Sequence, residues 1–333
     1  MSAPSPRAIL LVRYSALGDV VLATSLLAPL KERFPEARLE WVTDPAFVPL
    51  LHGLPELAAV HALHRDVPER ALQLRDQLKG RFDVVVDLQN KVRSAVVARA
   101  AAPVRLVFRR RSPGQAVLSL VGKDQILQRA HATRLYAEVL APLGVTGPGP
   151  LRIHLSPRAR ALAADALGKA RAPLVAIAPG ARWATKRWPA QAFARVADAL
   201  AAEGAAIVLA GGPGDREALE AVRAAMRAPV AADLSPLPLD ALAAALARVD
   251  LLVANDSGPV HLAAAVGTPS VAVFGPTSPV RWGPPAPSRV VALGISCAPC
   301  SNHGGHVCPR GHHRCLADLE PRAVLEAARE LLA

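Results

Sequence analysis

Short apolar runs alternate with longer amphipathic stretches along most of the chain. Residues 8–13 (AILLVR) form an apolar run bounded by turn residues, which predicts a buried strand. The loop Tyr14-Ser15-Ala16-Leu17-Gly18 follows, and an apolar-rich helix is predicted from Asp19 to about Arg33, ended by Pro35. Further strands are predicted over 38–42, 83–88 (DVVVDL) and 104–108, with a helix near 94–99. Turn residues then cluster at Gly147-Pro148-Gly149-Pro150 and mark a boundary. Beyond it the pattern restarts, with strands at 174–178, 205–210, 251–254 and 271–274 and helices at 189–203, 215–226, 239–248 and 260–266. Strands alternating with helices predict an α/β protein of two doubly wound, Rossmann-like domains, 1–150 and 151–333. Two such domains facing across a cleft would bind ligands at the carboxyl ends of their strands.

Composition narrows the partners. Of 333 residues, 52% are apolar and 20% charged, enough for a large core and against disorder. Aromatics at 4% argue against a protein that stacks nucleic-acid bases on rings. The net charge is +12, and residues 1–155 hold 21 basic against 13 acidic side chains. That excess predicts an anionic partner for the first half, unless it serves solubility alone. The apolar run at 8–12 is shorter than a signal core. The longest apolar candidate, 258–274, is interrupted by His261, Thr268, Pro269 and Ser270. A cytoplasmic protein is predicted, able to sit peripherally on the inner face of a membrane.

Several strand-to-helix turns carry candidate chemistry. In Arg13-Tyr14-Ser15-Ala16-Leu17-Gly18-Asp19 the acid is either a helix N-cap or a general base aimed at a ligand. No G-x-G-x-x-G stands there, which excludes a dinucleotide fingerprint. In the stretch 179–189 (PGARWATKRWP), Thr185 and Lys186 precede a helix and could hold phosphate oxygens. In Asn255-Asp256-Ser257-Gly258-Pro259-Val260-His261, Asp256 or Ser257 can cap the next helix. The N–H groups of Ser257, Gly258 and Val260 would face a diphosphate, and His261 lies on the first turn either as a ligand or as packing. Asp215, after Gly211-Gly212-Pro213-Gly214, stands where a ribose hydroxyl could be met. Lys91 and Arg93 follow the strand 83–88, Arg109, Arg110 and Arg111 follow the strand 104–108, and His131 and Arg134 open another helix, as a ligand-facing basic patch or as a solvated face. Cys297, Cys300, Cys308 and Cys315, interleaved with histidines, have spacing similar to a zinc knuckle, with free thiols the alternative.

Together these segments resemble the ADP-heptose:lipopolysaccharide heptosyltransferases, glycosyltransferase family 9. The carriers are VRYSALGDVVLATSLLAPLKERFP, VVDLQNKVRSAVVAR, PGARWATKRWPAQAFARVADAL and NDSGPVHLAAAVGTPSVAVFGPTSPVRWGP, with CAPC…CPRGHHRCL near the end. The resemblance implies a GT-B fold and an inverting, metal-independent transfer of heptose or a related sugar from an ADP-sugar. The acceptor, a lipopolysaccharide inner core such as Kdo-lipid A or its heptosylated form, would bind the first domain and the donor the second. It implies Asp19 as general base and Lys186 as the contact to the donor diphosphate, with Thr185 beside it. Asp256, Ser257, Gly258 and His261 match the phosphate- and sugar-contacting turn, Asp215 (with Glu217 the alternative) the ribose-binding acid and Leu237 an adenine-packing position. Arg93, Arg110 and His131 are the nearest acceptor-side counterparts. Val260 departs from the methionine common in DSGPMHL.

Such chemistry requires one base, one electrophile for the departing diphosphate and in-line positioning. Without a Mg²⁺ site, the leaving charge falls on Lys186 and the helix start at 256–261, so Asp19 and Lys186 are expected to meet across the cleft. A nucleotide-sugar epimerase or hydrolase of the same fold is one competing reading. A basic nucleic-acid-binding protein with a zinc module is another, which the scarce aromatics oppose.

Overall fold

The computed structural model describes residues 5–64, 67–109, 130–171 and 173–333. The described residues fall into two compact units, divided between His154 and Leu155, with His131 grouped in the second. In the first unit β1 (Ala8–Val12), β2 (Arg38–Thr43), β3 (Leu57–Ala62), β4 (Val84–Asp87) and β5 (Val104–Val107) form a parallel sheet in the order β3-β2-β1-β4-β5. In the second, β6 (Leu174–Ala178), β7 (Ala206–Leu209), β8 (Val230–Asp233), β9 (Leu251–Asn255), β10 (Ser270–Phe274) and β11 (Arg289–Ala292) form a parallel sheet in the order β11-β10-β9-β6-β7-β8. Each order reverses beside its first strand, β1 lying between β2 and β4 and β6 between β7 and β9. Doubly wound sheets bind ligands outside the carboxyl ends at such a switch point.

The central strands are apolar on both faces because helices cover both sides of a parallel sheet. β6 reads LVAIA and β9 LLVAN, and both are buried throughout. The first core gathers Leu10, Val12, Val42, Val85 and Val97. The second gathers Val175, Ile177, Phe193, Val253, Val271 and Leu316. β3, β8 and β11, which the apolar pattern does not predict, are all outer strands, partly exposed along their length.

The single helix predicted from Asp19 to Arg33 is instead two, Leu17–Ala23 and Leu27–Arg33, joined by a 3₁₀ turn over Thr24–Leu26. Pro29 has no N–H to offer the carbonyl of Ser25, four residues back. Gly149 N takes that carbonyl at 2.7 Å. A Cβ on Gly149 would stand 2.9 Å from Pro29 Cδ, so only glycine comes this close. The hydroxyls of Thr24 and Ser25 turn back onto the carbonyls of Val21 and Leu22, at 2.6 and 2.7 Å. Thr24 Oγ1 also accepts from Arg152 N at 2.9 Å. No helix among the described residues is long and apolar enough to cross a membrane.

Candidate active site

At the carboxyl end of β1, a charged residue ends an apolar strand. Arg13 is buried, so its guanidinium needs partners. Its Nη2 meets Asp19 Oδ1 at 2.6 Å and its Nη1 donates to Leu88 O at 2.5 Å. Tyr136 Oη donates to the same Asp19 Oδ1 at 2.5 Å. Burial opposes the Arg13 charge. Tyr136, the Asp19 carboxylate with its hydrogen bond, and Asp87 outweigh that, and the guanidinium binds its proton more tightly than usual. Asp19 is not the N-cap: that position is Ala16, and Asp19 stands third in the helix, with Oδ2 3.4 Å from Ala16 N. The reason is local, since the helix already begins at Leu17.

Asp87, fully buried at the end of β4, accepts from Gln89 N, Asn90 N, Ser94 Oγ and Arg105 Nη2 at 3.1, 2.8, 3.1 and 2.5 Å. These bonds set the loop before the helix Val92–Ala101, on which Arg93 is exposed beside Lys91. Arg109 is also exposed, whereas Arg110 and Arg111 lie outside the described residues. His131 groups with the second unit, where its Nε2 donates to Gly283 O at 3.0 Å. Burial lowers its pKa, the Gly283 carbonyl works against that, and Arg281 adds to the lowering.

In the second unit the loop after β6 and the turn after β9 hold each other. Asn255, fully buried, donates its Nδ2 to Pro179 O at 2.7 Å and accepts from Trp188 N at 3.0 Å. That pair frames a 3₁₀ turn, Ala184–Lys186. Lys186 Nζ meets Asp256 Oδ2 at 2.7 Å, and Thr277 Oγ1 donates to the same oxygen at 2.5 Å. Asp256 and Ser257 lead into the helix Gly258–Val266, with Pro259 in its first turn. Neither side chain makes the expected cap: Asp256 is engaged by Lys186 and Thr277, and Ser257 Oγ donates to Asn255 O at 3.1 Å. The N–H of Val260, expected to face a diphosphate, is taken by Ser257 O at 3.2 Å as the turn tightens. His261 is buried on the first turn.

Asp215 Oδ2 accepts from Gly212 N at 2.9 Å. Its Oδ1 lies so close to Gly180 that a Cβ there would stand 2.1 Å away, so this carboxylate requires glycine at 180. Glu217 is exposed on the following helix, and Leu237 is half-buried. Thr185 is buried, with its hydroxyl donating to Gly305 O at 3.0 Å and accepting from Gly305 N at 2.8 Å.

None of the four cysteines is in a disulfide; Cys315 is buried and the others are partly so. Among the described residues no three His, Cys, Asp or Glu side chains form a group able to hold a metal ion. Cys297 Sγ lies 3.9 Å from His312 Nε2. Burial works to raise the Cys308 pKa, but backbone N–H bonds from Arg310, His313, Gly311 and His312 bring it below the usual thiol range. Desolvation and the other three cysteines push the Cys315 thiol up to about 11.

Arg13, Tyr136, Thr277 and Asn255 are the partners that the residue patterns leave unassigned. The signal for Arg13 is its position, a cation closing a buried strand.

Two doubly wound parallel sheets, each with charged groups at its switch point, are the parts of a GT-B glycosyltransferase. The chain belongs to glycosyltransferase family 9 (heptosyltransferase), whose family model matches residues 71–307. It is 28% identical over 350 residues to lipopolysaccharide heptosyltransferase 2 of Salmonella typhimurium, covering 97% of this chain and 98% of that one. Among solved structures it is similar to an Escherichia coli ADP-heptose LPS heptosyltransferase II, at 27% identity and a TM-score of 0.72 over 98% of both chains. A family 9 glycosyltransferase of Veillonella parvula shares the fold with a TM-score of 0.81 at 23% identity, over 98% of this chain and 97% of that one.

Proposed function

We propose that the protein moves a heptose from ADP-heptose to a lipopolysaccharide inner-core acceptor, with inversion and without a catalytic metal. Asp19 takes the proton of the acceptor hydroxyl as its oxygen attacks the anomeric carbon. The bond from that carbon to the diphosphate oxygen breaks, and ADP leaves with the electron pair. Lys186 and the N-terminus of the helix Gly258–Val266 balance the charge that develops there. His261 and Ser257 contact phosphate and sugar on that turn, Asp215 the ribose, and Leu237 the adenine. The first domain, about 1–150, takes the acceptor and the second the donor. Exposed Arg93 and Arg109, with Lys91, suit Kdo carboxylates and lipid A phosphates, and Arg110 and His131 are assigned to the same task. An enzyme of this kind works at the cytoplasmic face of an anionic inner membrane.

The observation that carries the reading is Lys186 held 2.7 Å from Asp256 at the head of that helix. A cation and a helix start converge there, as a leaving diphosphate requires. The test pairs transfer rates with ADP calorimetry. Asp19→Asn should lower kcat about 10²–10⁴-fold with ADP affinity unchanged. Lys186→Ala should weaken ADP binding. Near-normal transfer by the first variant, or unchanged ADP affinity in the second, refutes the role concerned.

A further inference from the structure

Every polar group of Thr185 is engaged by one distant segment, the cysteine-bearing loop. Thr185 N donates to Gly305 O at 3.1 Å. Its hydroxyl bonds both the carbonyl and the N–H of Gly305. Its own carbonyl accepts from His313 Nε2 at 2.8 Å. Thr185 directly precedes Lys186, so these four bonds fix the backbone from which the lysine projects. The lysine stem is seated by the same loop. Gly304 has φ +88°, and a Cβ on it would stand 2.9 Å from Lys186 Cγ and 3.0 Å from Cδ. Trp183, one turn earlier, packs edge-on to the His306 ring with centroids 4.9 Å apart.

His313 is itself firmly held. Its φ is +50°, in the left-handed region that non-glycine residues seldom adopt, and it stands at the N-cap position of the helix Arg314–Ala317. Two residues on, Cys315 is buried in the core of the second unit.

We propose that His313 is a positioning residue for donor binding. Its Nε2–H, on the Thr185 carbonyl, sets the turn that aims the Lys186 ammonium at the diphosphate of a nucleoside diphosphate sugar. This rests on the reading of Lys186 as the diphosphate contact. The cysteine loop thus acts as a clamp on the donor turn.

The test is calorimetric titration of ADP into the full-length protein and its His313→Ala, His313→Gln, Lys186→Ala and doubly substituted variants. Loss of one hydrogen bond behind a charged contact should weaken ADP about tenfold in His313→Ala. Glutamine, whose amide can reach the same carbonyl, should restore most of the affinity. The donor KM should rise while the acceptor KM stays. In the Lys186→Ala background the His313 substitution should cost nothing further, because it acts through the lysine. Gly304→Ala tests the seat from its other side, and should also weaken ADP even if His313→Ala fails to fold. If Lys186→Ala weakens ADP while His313→Ala and Gly304→Ala bind within twofold of the parent, the clamp is overturned and the donor reading survives. Full additivity in the double variant also overturns it. If Lys186→Ala binds ADP normally, the donor reading falls and the clamp with it.

Discussion

The two switch points are built alike with opposite polarity. In the first unit, Asp19 Oδ1 receives a guanidinium from Arg13 and a hydroxyl from Tyr136. In the second, Asp256 Oδ2 receives an ammonium from Lys186 and a hydroxyl from Thr277. Each is a carboxylate oxygen shared by one cation and one hydroxyl. What differs is which member is sunk deeper. Arg13 is 1% exposed and Asp19 12%, whereas Lys186 is 14% exposed and Asp256 5%. In both, the member assigned to chemistry is the shallower one and its partner is the anchor. On that proposal the ion pairs divide their labour by depth, the deep charge orienting and the shallow one staying open to substrate.

Removing an anchor should therefore cost folding stability, and the deepest anchor should cost most. Arg13→Met keeps volume but strands the Asp19 carboxylate, and urea denaturation should show a loss of about 3 kcal/mol. A loss below about 1 kcal/mol would mean the pair is solvated and the depth argument fails. Asp256→Asn keeps the shape and leaves Lys186 without its counter-ion. The expected loss is about 2 kcal/mol, together with altered ADP affinity. If stability falls and ADP affinity is untouched, Asp256 anchors something other than the donor lysine. The hydroxyls are the finest probe. Tyr136→Phe and Thr277→Val should each cost about 1–1.5 kcal/mol. Tyr136→Phe should lower kcat and spare ADP affinity, and Thr277→Val should do the reverse. Identical effects of the two on ADP binding would erase the assignment of acid to one unit and cation to the other.

How much of this was legible in the residues depends on the depth of each element. β1, β4, β6, β9 and β10 stand out because both faces are covered and the runs are apolar throughout. β3 (LAAVHA), β8 (VAAD) and β11 (RVVA) close the sheet edges. There one face or one end meets solvent, so alanine, aspartate and arginine are tolerated and no apolar run forms. The split between Ala23 and Leu27 was signalled locally by Pro29, which cannot serve the Ser25 carbonyl; that Gly149, more than a hundred residues away, takes that carbonyl is what no local pattern reveals. The turns proposed to carry chemistry were readable at Asp19, Lys186 and Asp256 because they fall where strand gives way to helix. Their partners were not, since Tyr136 and Thr277 reach them from remote segments. The cysteine spacing pointed to a metal, and among the described residues no group able to hold one forms.

The stretch that leads out of the first unit is fastened to it by three backbone donors: Gly149 to Ser25, Arg152 to the Thr24 hydroxyl, and His154 to Leu50. The chain thus remains part of the amino-terminal unit beyond the Gly-Pro-Gly-Pro motif that marks a boundary by composition. An isolated amino-terminal fragment cut at residue 148 would lose all three tethers and bare the carbonyl that Pro29 leaves unanswered. Carried through His154, the same fragment keeps its own lid.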